Sequence, residues 1–263
     1  MKIILITFAF YHKNTNMLQT QKKVEICTDS IEGALVAQSA GAYRIELCSG
    51  LREGGMTPSP ALISRVCASI AIKLYVLIRP RGGDFLYTGA DFEIMKSDIY
   101  YCAEAGCDGV VIGMLCPDGS IDKKRCRELV QMAQMYSMGV TFHRAFDRSN
   151  DLFQAMEDCI DIGCERILTS GGYNTAPEGA EVIRQLIEKA NDRIMIMPGS
   201  GITPENAGDL IRKTGLQEIH GTFQSLYPGK MQYRNTKLSS PEDEYNAGLP
   251  DAEKIKKILN LLK

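Results

Sequence analysis

Charged and glycine residues cluster directly after an apolar run near the first third of the chain. The segment 74–87 reads LYVLIRPRGGDFLY, so Arg79, Arg81 and Asp84 follow the apolar residues 74–78. Neighbouring glycines let a backbone approach a ligand closely. A turn of this kind at the end of a strand can bind an anionic ligand, and it can equally be a solvated loop with an Arg–Asp pair.

Polar side chains also alternate with aliphatic ones inside several predicted strands. Because successive residues of a strand point to opposite faces, these polar residues share the inward face of a barrel. They are Glu25, Cys27, Arg44, Glu46, Cys48, Tyr75, Arg79, Thr141, His143, Glu218 and His220. Burying an unpaired charge is costly, so they must form a paired network, open onto a water-filled mouth or bind a ligand. In the paired network, the three glutamates neutralise Arg44 and Arg79.

Two cysteines end consecutive predicted strands with the same orientation. Cys27 and Cys48 should therefore be neighbours at one end of the barrel. Paired thiols suit the soft cation Cu(I), whereas structural zinc requires four protein ligands. We predict a metal site at Cys27 and Cys48 with Cu(I) as its cofactor, and two small buried hydrophobic residues are the alternative.

Two glycine-rich turns offer backbone N–H groups to an anion. Gly199 and Gly201 lie in PGSGITPENA after the seventh predicted strand, and Ser170 precedes two glycines after the sixth. Barrels often bind phosphate after their seventh strand. We therefore predict ligand binding by Arg81, Ser170, Gly199 and Gly201.

Eight strand-like runs alternate with helix-like runs from residue 24 onward. This pattern predicts a single-domain α/β fold, the (β/α)8 TIM barrel, over residues 24–263. The predicted strands are 24–28, 43–47, 74–78, 108–113, 140–144, 166–170, 193–198 and 217–221. A doubly wound sheet is the alternative, but no G-x-G-x-x-G turn follows the first strand.

Helix starts are predicted from capping residues and from proline at the first helical position. Thr57 with Pro58 and Thr203 with Pro204 indicate two starts, and Ser30, Asp122 and Asn150 indicate three more. Apolar spacing predicts a last helix at about 251–262.

Two segments do not follow the alternating pattern. Residues 1–23 are interpreted as an N-terminal extension, and residues 1–16 of it as either disordered or the result of an upstream start. Residues 222–248 are predicted to form a long loop. Such a loop either serves function or subunit contacts, or is a disordered excursion.

Composition narrows the choice of partners and of compartment. The formal net charge of -2 does not favour nucleic acid or an anionic membrane surface. The 9 cysteines form no C-x-x-C pair and no disulfide framework, which favours a reducing cytoplasm.

Several motifs together resemble the copper homeostasis protein CutC family. They are VEICTDS at 24–30, RIELCSGLREGGMTPS at 44–59, IRPRGGDFLY at 78–87, TFHRAFD at 141–147, ILTSGG at 167–172 and MPGSGIT at 197–203. The resemblance covers residues 24 to about 220. It implies a TIM barrel, a cytoplasmic homo-oligomer and a role in handling Cu(I) at Cys27 and Cys48.

An enzyme acting on a small anionic metabolite is the alternative function. Arg79 and Arg81 would hold its carboxylate or phosphate, and Glu46 and His143 would exchange protons. Asp147 would orient a ring nitrogen of His143. A scaffold that binds partners through residues 222–248 is a third interpretation.

Overall fold

Eight parallel strands form the centre of the molecule. The computed structural model describes residues 22–235, 237 and 245–263. Each predicted strand is present, and no end is displaced by more than two residues. Their bounds are Lys23–Thr28 (β1), Arg44–Leu47 (β2), Lys73–Leu77 (β3), Gly109–Ile112 (β4), Gly139–Phe142 (β5), Arg166–Thr169 (β6), Met195–Pro198 (β7) and Glu218–Gly221 (β8).

The strands curl into a nearly closed barrel. The hydrogen-bonded order is β7-β6-β5-β4-β3-β2-β1-β8, and β7 and β8 adjoin each other. Every pair within this order is parallel. The predicted (β/α)8 TIM barrel is therefore confirmed.

Helices follow the strands and cover the outside of the barrel. Their bounds are Ile31–Ala40 (α1), Pro60–Ser69 (α2), Gly89–Ala105 (α3), Lys123–Met135 (α4), Leu152–Ile162 (α5), Ala180–Ala190 (α6), Ala207–Thr214 (α7) and Ala252–Leu261 (α8). Short 3-10 turns at Leu51–Glu53 and Arg144–Arg148 follow β2 and β5.

Two of the five predicted helix starts are right, and three are wrong. Ser30 and Asp122 cap α1 and α4 through their side-chain oxygens. The cap of α2 is Ser59 rather than Thr57, because the Thr57 oxygen accepts a hydrogen bond from the Arg79 backbone instead.

Two further helices begin later than predicted. Asn206, not Thr203, precedes α7, and its side chain accepts from the Thr203 amide. Asp151 caps α5, because the neighbouring Asn150 donates its side-chain amide to the carbonyl of Asp118.

The segment predicted as a long loop contains regular structure. Strands Gln224–Pro228 (β9) and Asn246–Pro250 (β10) pair as an antiparallel ribbon before α8. Residues 236 and 238–244 between them lie outside the described part of the chain. Residues 1–21 of the predicted extension also lie outside the described part of the chain. Lys23, at its other end, already belongs to β1.

The strands separate two kinds of buried environment. Their outward side chains pack against the helices in an aliphatic core, as the alternation predicts for Ile26, Ile45, Leu47, Val76, Ile78, Phe142 and Ile219. Their inward side chains include charged residues that are also buried, among them Glu25, Arg44, Arg166 and Glu218.

Four of these inward charges form an ion-pair network inside the barrel. Arg44 pairs with Glu25 and also with Glu218, the latter at 2.8 Å. Arg166 pairs with Glu218 at 2.6 Å. Two positive and two negative groups thus balance, although Arg166 was not predicted as a member. The predicted network of three glutamates and two arginines was right for Glu25, Glu218 and Arg44, and wrong for Glu46 and Arg79, which form no ion pair with these residues.

Glu218→Gln should strongly destabilise the fold, because it leaves two arginines buried beside an uncharged amide. Breaking a buried pair typically costs about 3–5 kcal/mol. Urea unfolding of the variant and of the wild type measures this loss. The matched control is Glu181→Gln, which breaks an exposed pair with Arg184 and should change stability little. Equal losses of unfolding free energy in the two variants would contradict a stabilising role of the buried ion-pair network.

Candidate functional site

Two thiols meet at the carboxyl end of the barrel. Cys27 lies near the end of β1, and Cys48 directly follows β2. Their sulfur atoms are 3.6 Å apart, and both residues are buried. The structure thus brings together the two residues predicted as metal ligands.

Two further inward residues complete a cluster around Cys27. Glu46 lies beside Cys27 in the β1–β2 ladder, and the Cys27 thiol donates to its Oε1 at 3.6 Å. The ligand atoms of Cys27, Glu46 and His220 all lie within 4.8 Å of one another. The sequence placed Glu46 and His220 on the inward face, but nothing in it assigned either of them to a metal site.

Burial and neighbouring charges favour unusual protonation states here. The hydrogen bond to Cys48 and burial raise the pKa of the Cys27 thiol well above its usual value. Burial also raises the pKa of the Glu46 carboxyl. Burial alone would lower the pKa of His220, but the charge of Glu46 and a 2.7 Å hydrogen bond to Glu25 raise it instead. The cluster therefore favours a neutral Cys27 thiol next to an imidazolium.

A cavity of about 340 Å³ opens onto this cluster. Its lining includes Cys27, Glu46 and His220 from the cluster, together with Arg79, Phe85, His143, Arg144, Ser200 and Gly201. The cavity therefore unites the predicted metal residue Cys27 with three predicted enzyme residues, namely Glu46, Arg79 and His143. Gly201 lines it as well, whereas Gly199 does not.

The guanidinium of Arg79 is buried in the wall of this cavity. It donates to the carbonyls of Glu53, Gly55 and Gly83 at 3.1, 2.6 and 3.0 Å. Its Nε atom has no hydrogen-bond partner. Arg79 is therefore held in place by backbone, without a carboxylate partner within the described residues.

The ring of His143 is also buried in this wall. Its Nδ1 accepts from the amide of Ala145 at 3.1 Å, so the proton of the neutral ring is on Nε2. Nε2 has no partner. Gly113 leaves room for the ring, because a Cβ there would lie 2.4 Å from it.

Three other predicted residues have partners outside the cavity lining. Arg81 is 39% exposed in its side chain and pairs with Asp84 at 2.9 Å, as in the solvated-loop alternative. Asp147 does not orient His143. It accepts instead from the Thr169 hydroxyl and the Ser170 amide, at 2.5 and 3.0 Å. Ser170 thus donates its amide and its hydroxyl to Asp147, and its predicted ligand binding stays a prediction.

Arg144 is a lining residue that was not predicted. It follows His143 at the start of the 3-10 turn, and its guanidinium pairs with Asp147 at 2.8 Å. Alternation through the predicted strand 140–144 gave Arg144 the face opposite to His143, but β5 ends at Phe142 and Arg144 lies in the 3-10 turn.

Comparison with known proteins identifies the family. A family model described as the CutC family matches residues 22–225.

The chain belongs to the CutC family.

Relatives of known sequence agree with this family assignment over most of the chain. A family protein CutC from Vibrio vulnificus (strain CMCP6) is 46% identical over 211 residues, which cover 80% of this chain and 84% of the relative. The Homo sapiens protein named copper homeostasis protein cutC homolog is 44% identical over 237 residues, covering 89% of this chain and 86% of its own length. The resemblance predicted from the motifs is confirmed.

A solved structure of CutC from Streptococcus agalactiae has the same barrel. It is 33% identical, has a TM-score of 0.72, and covers 76% of this chain and 98% of its own. A structure named QR15, an aldolase, is 17% identical with a TM-score of 0.60, and this likeness shows the fold alone.

Within residues 22–235, 237 and 245–263 of this CutC family chain, none of the helices is both long enough and apolar enough to cross a membrane. The cytoplasmic location and the self-association stay predictions.

His143→Asn should make the stability of this CutC family protein less sensitive to acid. Burial and the charge of Arg79 lower the pKa of His143 from 6.5 to about 3. Between these values only the unfolded chain binds a proton at this residue, so acid favours unfolding. Asn has an oxygen that can accept from Ala145, but it does not titrate.

Urea unfolding at two pH values measures this effect. From about pH 6 to about pH 5, the wild type should lose roughly 1 kcal/mol more unfolding free energy than the variant. Groups that titrate equally in both proteins cancel in this comparison. If the difference in unfolding free energy between the wild type and the variant does not change with pH, the buried, neutral state of His143 is contradicted.

Proposed function

We propose that this protein binds Cu(I) as its cargo, with Cys27 and Cys48 as the ligands. The observation that carries the proposal is the 3.6 Å separation of the two sulfur atoms, of which that of Cys27 belongs to a residue lining the cavity. Thiolate ligands lie about 2.3 Å from a bound zinc ion, and one ion at a comparable distance can bridge two sulfurs this close. The copper homeostasis name of the human relative supports the same cargo.

The donor atoms match the chemistry of a soft cation. Thiolate sulfur is a ligand type that selects Cu(I), whereas carboxylate oxygen suits harder ions. Within the described residues, the cluster offers sulfur, one imidazole and one carboxylate. Glu46 therefore serves better as an acceptor for the Cys27 proton, to which it is already hydrogen-bonded, than as a ligand.

Charge balance gives His220 a part in this binding. Two cysteines that bind one monovalent ion as thiolates leave the complex with one net negative charge. The raised pKa of His220 favours its imidazolium form next to the thiols. That positive charge also pairs with Glu25 at 2.7 Å, so it reduces the electrostatic cost of the negative complex without fully neutralising it.

An anaerobic Cu(I) titration against a calibrated chelator tests the proposal. The wild type should bind one Cu(I) per chain. The Cys27→Ala, Cys48→Ala double variant should bind at least about 100-fold more weakly, which exceeds the usual effect of outer-shell changes. Thermal unfolding of the metal-free proteins checks that both are folded.

The chain offers a matched control in a second pair of neighbouring thiols. Cys102 and Cys107 interact with each other and are 0% and 7% exposed, against 0% and 6% for Cys48 and Cys27. Cys102→Ala, Cys107→Ala should leave Cu(I) affinity unchanged. Wild-type affinity in the Cys27, Cys48 double variant would overturn the proposed function.

A further inference from the structure

We propose that the same cavity contains a second site, in which Arg79 and His143 bind the carboxylate or phosphate group of a small metabolite. This site does not depend on Cu(I). It uses residues after β3 and β5, whereas the thiol pair comes from β1 and the residue after β2. Nothing in the relatives' names assigns such a ligand.

The first argument is the missing counter-charge of Arg79. This residue is 5% exposed, and its three guanidinium hydrogen bonds all go to backbone carbonyls. Carbonyl oxygens satisfy N–H groups but do not neutralise the charge. No carboxylate lies within ion-pair distance of Arg79 in the described part of the chain. A buried charge without a partner is unfavourable, and an anionic ligand would remove this cost.

The second argument is that the guanidinium is held in place before any ligand arrives. The carbonyls of Glu53 and Gly55 belong to the turn after β2, and that of Gly83 to the turn after β3. The Phe85 ring lies 5.1 Å from the guanidinium carbon. Because these contacts fix its orientation, binding an anion would cost little side-chain entropy.

The third argument is a second unused donor in the same wall. The Nε2 proton of His143 has no partner, and the His143 ring lies 5.0 Å from the same Phe85 ring. The residue is 5% exposed and lines the cavity. A neutral N–H donor beside a guanidinium is a common arrangement for recognising an oxyanion.

The remaining cations of the cavity lining already have acidic partners. Arg144 pairs with Asp147 at 2.8 Å, and His220 contacts Glu25 at 2.7 Å. Glu46, the carboxyl group in the lining, accepts a hydrogen bond from the Cys27 thiol and forms no ion pair with Arg79. Arg79 is therefore the lining cation that an oxyanion would neutralise.

Space for the rest of the ligand adjoins this wall. A second cavity, of about 820 Å³, shares Gly54, Arg79, Phe85 and Arg144 with the first and adds Arg148. Phe85 and Leu77 offer apolar surface near the charge. The ligand class is thus a small organic acid or phosphate ester whose anionic group reaches Arg79.

Thermal unfolding of the metal-free protein in anion titrations tests this site. Inorganic phosphate and acetate are the two probes, each compared with chloride at matched ionic strength, and they distinguish a phosphate site from a carboxylate site. At least one probe should raise the melting temperature of the wild type to a saturating value. No saturating effect from either anion would overturn the proposal.

Variants from the same loop give the matched comparison. Arg79→Gln should weaken the apparent affinity at least about tenfold, as expected for losing a charged hydrogen-bond donor. Arg81→Gln should retain it, because the Arg81 side chain is 39% exposed and lines neither cavity. An equal anion effect in Arg79→Gln and the wild type would contradict the assignment.

A measurement on the unaltered side chains covers the case in which Arg79→Gln does not fold. Ring-nitrogen NMR of the wild type should show a saturating shift of His143 Nε2 with the same anion. The Cys27→Ala, Cys48→Ala variant should show it too, so failure of copper binding and failure of anion binding are distinguishable. A His143 signal that does not respond would overturn the site.

Discussion

Pairing of charges inside the barrel is the constraint on which the rest of the structure depends. Parallel strands covered by helices leave an interior that water does not fill, so each inward charge needs a compensating group. Arg44, Arg166, Glu25 and Glu218 satisfy one another there. Because this network comes from four different strands, it also connects β1, β2, β6 and β8 across the barrel.

At the mouth of the barrel, by contrast, several buried polar atoms have no partner. Buried atoms of Glu46, Arg79 and His143 have no hydrogen-bond partner, although all three residues line one cavity. Unsatisfied buried polar atoms are rare in folded proteins, because each costs free energy. Their concentration at this cavity distinguishes a binding region from the satisfied interior next to it, and Glu25 links the two through its bonds to Arg44 and His220.

The thiol pair and the anion site differ in the charge that each would receive. Two thiols that lose their protons become negative and would bind a cation, whereas the positive Arg79 would bind a negative group. His220 lies close to the Cys27 thiol, where its imidazolium form would reduce the cost of the proposed negative complex. The two proposed ligands therefore do not compete for the same protein atoms, although they would share one cavity.

The sequence by itself determined the barrel, the strand positions and the set of inward residues. Period-2 alternation is a local property, so it identifies Cys27, Glu46, Arg79 and His220 without any knowledge of distant neighbours. The same holds for the caps at Ser30 and Asp122, whose oxygens bond within the next turn of their own helices.

Only the tertiary structure decided which of these groups contact each other. The predicted pairing of Asp147 with His143 was wrong because the 3-10 turn directs Asp147 to the turn after β6. Thr57 does not cap α2, since the adjacent strand's Arg79 amide uses its oxygen. Such partners are distant in sequence, and their choice depends on strand register and loop shape, which alternation does not encode.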